Sequence, residues 1–217
     1  MTRVVIADDQ ELVRSGFRLI LEVAEIEVVG EAANGREAVQ LAGTLRPDVV
    51  LMDVRMPVMD GIEATRRIVR AGLDSRVLVV TTFDLDEYVY DALRAGASGF
   101  LLKDVGRERL VQAVETVAGG EALVAPQILE RLVSHYVRRP PPEVSRRAEL
   151  VGLTDRELEV LTLVGRGLTN GEIASTLFIS LPTVKSHIRS LFAKLDLRDR
   201  AQAVILAYES GLVPQGA

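Results

Sequence analysis

Five short apolar runs punctuate the first 120 residues, and an amphipathic stretch follows each one. The runs are Val4-Val5-Ile6-Ala7, Glu27-Val28-Val29-Gly30-Glu31, Val49-Val50-Leu51-Met52, Val77-Leu78-Val79-Val80 and Phe100-Leu101-Leu102. Short runs of this kind, bounded by polar residues, read as strands buried on both faces. The stretches at 11–24, 35–45, 62–71, 86–95 and 107–118 carry apolar residues at helical spacing. On the first, Leu12, Phe17, Leu19, Ile20 and Val23 are expected to face inward. The alternation predicts an α/β fold, a (βα)5 unit with a parallel sheet. Right-handed crossovers make that sheet doubly wound. Such sheets bind ligands outside the carboxyl ends of their strands, where the strand order reverses.

Those strand ends carry a distinctive set of groups. The first strand ends in Asp8-Asp9, the third in Asp53, the fourth in Thr81 and the fifth in Lys103. Carboxylates brought together in one crevice repel unless a cation sits among them, and hard oxygen donors suit Mg2+. An acidic nucleophile, a metal, a hydroxyl and a mobile ammonium together fit receipt of a phosphoryl group on a carboxylate. A phosphatase of the haloacid-dehalogenase type would place a second carboxylate two residues after its nucleophile. Arg55 stands there instead, and no cap domain is evident.

The rest of the chain has a different character. Over 121–149 a short helix is plausible at 126–137, followed by Arg138-Arg139-Pro140-Pro141-Pro142-Glu143. Three consecutive prolines forbid a helix and favour an extended spacer. From residue 150 onward the pattern is helical. Thr154-Asp155-Arg156-Glu157 and Thr169-Asn170-Gly171-Glu172 are capping boxes, Ser180 can cap a third helix with Pro182 in its first turn, and a fourth runs from about Arg200 to Ser210. The segment 172–195 has the proportions of a helix-turn-helix. Val184, Ile188, Leu191 and Leu195 form its inward stripe. Thr183, Lys185, Ser186, His187, Arg189 and Lys194 lie where base edges and phosphates would be met.

Composition narrows the possibilities. Hydrophobic residues are 48% and charged residues 26% of the chain, which excludes a disordered or fibrous protein. The absence of cysteine excludes thiolate zinc sites and cysteine catalysis, and two histidines are too few for a His-rich metal site. Residues 1–120 hold fourteen Lys and Arg against twenty Asp and Glu, a net of −6, whereas 181–200 holds five against two, a local +3. That asymmetry suggests two units with different partners. No run of 18 apolar residues is present, and the first apolar run is too short for a signal peptide, so a cytoplasmic location is expected.

Residues 1–120 resemble the receiver domain of two-component response regulators. The matching stretches are Val5-Ile6-Ala7-Asp8-Asp9, Asp53-Val54-Arg55-Met56-Pro57-Val58-Met59-Asp60-Gly61, Val79-Val80-Thr81-Thr82 and Ala95-Gly96-Ala97-Ser98-Gly99-Phe100-Leu101-Leu102-Lys103. Leu153 to Glu157, Gly167 to Ala174, Ile179 to His187, Lys194-Leu195 and Arg200 to Val204 resemble the LuxR-type DNA-binding domain. Together they are similar to the NarL/FixJ response regulators, with a flavodoxin-like receiver at 1–120, a linker at 121–149 and a four-helix helix-turn-helix domain at 150–217.

The resemblance implies a function for each part. Asp53 is the phospho-acceptor for a sensor histidine kinase, and Asp9, Asp53 and the backbone carbonyl of Arg55 ligate Mg2+ directly, with Asp8 acting through water. Thr81 and Lys103 hold the phosphoryl oxygens, and Phe100, beside Thr81, is the aromatic switch. Phosphorylation releases the DNA-binding domain, which dimerises through its final helix and binds promoter DNA at paired half-sites. Residues 183–187, including Val184, together with Arg189 and Lys194 are the implied DNA contacts. The protein is then a regulator and not a turnover enzyme, with no membrane partner. Two departures stand out: Asp104 replaces the proline that often follows the lysine, and Gly171 stands where a cation is usual.

Overall fold

A computed structural model describes residues 1–82, 86–120 and 150–213. The chain divides into two compact units, Met1–Val124 and Ala125–Ala217. The short helix and proline spacer expected within 121–149 lie outside the described residues.

The first unit alternates as the apolar runs require. Its elements are β1 (Arg3–Ala7), α1 (Glu11–Val23), β2 (Glu27–Ala32), α2 (Gly35–Leu45), β3 (Val49–Met52), α3 (Gly61–Arg70), β4 (Arg76–Thr81), α4 (Asp86–Ala95), β5 (Gly99–Leu102) and α5 (Arg107–Ala118). The strands form one parallel sheet in the order β2-β1-β3-β4-β5. Strand order therefore reverses between β1 and β3. Alternate strand residues serve opposite faces. Val4, Ile6, Val49, Leu51, Leu78, Val80 and Leu101 pack with Phe17 and Leu21 of α1 and with Leu110, Ala113, Val114 and Val117 of α5. The intervening Val5, Ala7, Val50, Met52, Val77, Val79 and Phe100 are equally buried, which explains why the runs are apolar throughout.

The inward face of α1 differs from the expectation. Phe17 and Leu21 are buried and Val13, Ile20 and Ala24 pack against the same core, but Leu12, Leu19 and Val23 are 86%, 65% and 62% exposed. The helix carries two adjacent apolar stripes, and only one meets the sheet.

Among the described residues of the second unit the helices are α6 (Asp155–Gly165), α7 (Asn170–Leu177), α8 (Leu181–Lys194) and α9 (Arg200–Glu209). Both capping boxes form, Thr154 with Glu157 and Thr169 with Glu172. Ser180 accepts from the Thr183 amide and Pro182 sits in the first turn of α8, where its missing N–H costs nothing. Phe178 closes α7 in the left-handed region with φ 54°. Val160, Leu161, Val164, Ile173, Val184, Leu191, Ala203 and Val204 make the core. Gly165 permits a close approach of α6 to α9: a Cβ there would lie 2.6 Å from the Ala207 Cβ.

Candidate functional site

The sheet ladder itself delivers the acidic pocket. Each of three site residues stands one step beyond its strand, and its amide makes one more ladder bond. Asp8 donates to the Ala32 carbonyl at 3.0 Å, Asp53 to Ala7 at 2.8 Å and Lys103 to Thr81 at 2.8 Å. Each continues the alternation of its strand, following Ile6, Leu51 and Leu101 on the same face. Their side chains converge as a result. The Lys103 ammonium lies 2.5 Å from Asp8 Oδ2 and 2.9 Å from Asp53 Oδ2. Carboxylate oxygens of Asp8, Asp9 and Asp53 all lie within 4.8 Å of one another, with Asp8 and Asp53 buried and Asp9 exposed.

Electrostatics in this pocket are unbalanced. Burial pushes the Asp53 carboxyl above its ordinary value. The Lys103 hydrogen bond and charge oppose that shift, and the Asp8 charge adds to it. Burial alone would lower the Lys103 ammonium, but its hydrogen bonds to Asp8 and Asp53 raise it above the usual lysine range. Among the described residues one ammonium thus answers three carboxylates, and the excess negative charge and oxygen donors fit a hard divalent cation. Among the described residues the cluster offers oxygen donors alone.

Neighbouring residues fix Asp53 in place. The Gly61 amide donates to the Val54 carbonyl at 2.8 Å, and Asp60 caps α3 by accepting from the Glu63 amide at 2.7 Å. A Cβ on Gly61 would fall 1.9 Å from the Asp53 carbonyl oxygen, so only glycine lets α3 start this close to the Asp53 backbone. Thr81 is buried at the end of β4, opposite Leu102, and Phe100 pairs with Val79. Phe100 is therefore a diagonal neighbour of Thr81 on one face of the sheet, only 1% exposed. Arg55 is exposed on the loop two residues after Asp53. Among the described residues every peptide bond is trans, Lys103–Asp104 included.

The second unit offers one face of α8. Thr183, Lys185, Ser186 and Arg189 are exposed and His187 is half-buried. Two of the expected DNA contacts have partners within this unit. Val184 is fully buried and belongs to the core stripe with Leu191. Lys194 directs its ammonium to Glu157 Oε2, 2.7 Å away, and to the Gly152 carbonyl at 3.4 Å. Arg200 is likewise committed inside the protein, donating to Asn170 Oδ1 at 3.1 Å and to the Leu168 carbonyl. Sequence reasoning missed Glu157 as a partner. Its capping box was visible, but the lysine it meets stands 37 positions away.

Comparison with known proteins agrees with both units. Residues 4–115 match the response regulator receiver domain family, and residues 151–207 match the luxR family of bacterial regulatory proteins. The chain is 40% identical over 217 residues to the transcriptional regulatory protein LnrK of Bacillus subtilis (strain 168), covering 98% of this chain and 99% of LnrK. It is 43% identical over 218 residues to the transcriptional regulatory protein LiaR of the same strain, covering 98% and 100%. Among solved structures, the response regulator ChrA of a heme-sensing two-component system is similar with a TM-score of 0.52 at 36% identity, over 97% of this chain and 98% of that one. Among the described residues no helix is long and apolar enough to cross a membrane. With a receiver domain, a luxR-type domain and full-length relatives that regulate transcription, the chain belongs to the LuxR/NarL family of two-component response regulators.

Proposed function

We propose that Asp53 accepts a phosphoryl group from the phosphohistidine of a sensor kinase and that this event controls promoter binding by the second unit. An Asp53 carboxylate oxygen attacks phosphorus in line, the O–P bond forms, the P–N bond breaks, and the departing imidazole takes up a proton. Asp8, Asp9, Asp53 and the Arg55 carbonyl would hold Mg2+, which neutralises charge on the transferring phosphoryl oxygens when bound. Lys103 and the Thr81 hydroxyl bind those oxygens afterwards, and Phe100 is the side chain that repacks as Thr81 moves. The observation that carries this reading is Lys103 within 2.9 Å of Asp53 in a pocket with two further carboxylates.

In this reading residues 1–120 are the receiver, 121–149 the linker and 150–217 the DNA-binding domain. Phosphorylation adds about −1.5 to −2 charge beside Lys103. A switch from mostly off to mostly on needs ~5.5 kcal/mol of differential stabilisation, which phosphorylation and dimerisation through α9 would share. Thr183, Lys185, Ser186, His187 and Arg189 meet the DNA, and the protein works in the cytoplasm as a regulator that slowly loses its own phosphoryl group. The test is labelling of the full chain by acetyl phosphate with Mg2+, read by intact mass. Wild type gains one phosphoryl group and Asp53→Asn gains none. Equal labelling of that variant would place the acceptor elsewhere.

A further inference from the structure

The two capping boxes of the second unit look alike in sequence and differ in structure. In the box that opens α7, Glu172 Oε2 accepts from the Thr169 amide at 2.7 Å and from the Thr169 hydroxyl at 2.8 Å, and Glu172 stays exposed. That is all a capping box requires. In the box that opens α6, Glu157 makes the equivalent bonds to Thr154, at 2.8 and 3.0 Å, and is then buried to 4% exposure. It gains two more donors. Ser190 Oγ lies 2.8 Å from Oε1 and Lys194 Nζ lies 2.7 Å from Oε2. Hydrogen bonds from Lys194, Thr154 and Ser190 hold its carboxyl down to about 2, so it is ionised wherever the protein works.

Ser190 and Lys194 stand four residues apart, one turn of α8. Two anchors on one side of a helix, both held by a single carboxylate on another helix, resist rotation about the helix axis. One residue of slip would turn every side chain by about 100°. The anchors sit in the C-terminal half of α8, while the exposed Thr183, Lys185, Ser186 and Arg189 occupy its N-terminal and central turns.

We propose that Glu157 is a positioning residue for DNA recognition: through Ser190 and Lys194 it sets the rotation at which α8 presents Thr183, Lys185, Ser186 and Arg189 to the bases. The inference rests on the reading of α8 as the DNA-contacting helix. It also reassigns Lys194. Its ammonium serves the Glu157 carboxylate and is not a phosphate contact.

Salt dependence separates the two roles. A phosphate contact adds about 0.9 to the slope of log K against log salt for each protomer, whereas a positioning residue adds nothing. The probes are a duplex selected from a randomised library by the full wild-type chain and a scrambled duplex of equal length. Lys194→Met and Glu157→Gln are expected to weaken binding to the selected duplex by about tenfold or more. Both should leave the salt slope and the scrambled duplex nearly unchanged. The double variant should be no weaker than the weaker single one, and Lys194→Arg should restore the selected duplex. Ser190→Ala gives a milder form of the same loss should Glu157→Gln not fold.

Arg189→Met is the control for the underlying reading, because it must lower the slope. If it changes neither affinity nor slope, the assignment of α8 to DNA fails. The positioning role is overturned in two ways with that control intact. One is Lys194→Met lowering the slope and weakening both duplexes alike. The other is Glu157→Gln lowering the melting temperature without changing the ratio of the two affinities.

Discussion

The Lys103 ammonium sits 2.9 Å from Asp53 Oδ2 and draws in Asp8 at 2.5 Å, so one cation joins the ends of β1, β3 and β5. Both carboxylates are buried, so bulk water screens them little. Removing one partner of a buried ion pair leaves an uncompensated charge, which is strongly destabilising. Lys103→Met is expected to lower unfolding stability at pH 7 by on the order of 3 kcal/mol. Urea titration of the full chain measures it. Added Mg2+ should recover more stability in this variant than in wild type, because the carboxylates then lack the Lys103 ammonium.

Asp53 predicts a pH dependence of known sign. Its folded carboxyl titrates above its unfolded value, chiefly through burial. Ionised Asp53 therefore opposes folding at neutral pH, and that penalty fades as the pH falls through the folded value and is gone below the unfolded value, near 3.8. Asp53→Asn should melt at a higher temperature than wild type at pH 7, with the gap closing below pH 4. Mg2+ should raise the wild-type melting temperature by acting only on the folded state, about 2.7 kcal/mol at a hundred times its Kd. Asp9→Asn should blunt the Mg2+ effect, and scanning calorimetry across both titrations checks each part.

Gly61 leaves no room behind Asp53. Any side chain there meets the Asp53 carbonyl oxygen, and backbone cannot move aside as a flexible side chain does. Gly61→Ala is expected to cost about 2 kcal/mol or more of stability. The rate of labelling by acetyl phosphate should fall as well, because the carboxylate shifts from Lys103. Gly16→Ala is the contrasting case: a Cβ there meets nothing within 4 Å, and labelling should be unchanged.

Gly171 stands in the first turn of α7, where a Cβ would meet only the Thr169 hydroxyl at 3.9 Å. The helix therefore admits a Cβ there without a close contact. Gly171→Lys should steepen the salt dependence of DNA binding by about 0.9 in slope per protomer and tighten non-specific binding. Helix propensity favours lysine over glycine there as well, by roughly half a kcal/mol or more. Fluorescence anisotropy over a range of salt concentrations measures the slope.

How far these features were legible depends on how local their cause is. Strand ends are local, so Asp8, Asp53, Thr81 and Lys103 could be read from apolar runs and the residue that follows each. Caps are local too: Thr154 and Thr169 start their helices as their spacing with Glu157 and Glu172 required, and Ser180 caps the next with Pro182 in its first turn. The face of α1 was not legible. Val13, Phe17, Ile20 and Ala24 repeat at helical spacing, and so do Leu12, Leu19 and Val23, and only the position of the sheet chooses between them. The partner of Lys194 was not legible for the same reason. A lysine near the end of a helix beside exposed polar residues looks like a phosphate ligand, and its ion pair with Glu157, 37 positions away, shows only in the fold.

The account rests most heavily on a link between the carboxylate pocket and DNA binding. The direct measurement is the affinity of the full chain for its selected duplex, before and after treatment with acetyl phosphate and Mg2+, in wild type and Asp53→Asn. Treatment should tighten wild-type binding by about tenfold or more, within the usual range of allosteric coupling, and leave Asp53→Asn unchanged. Equal tightening in both proteins, or none in wild type once labelling is complete, would contradict it.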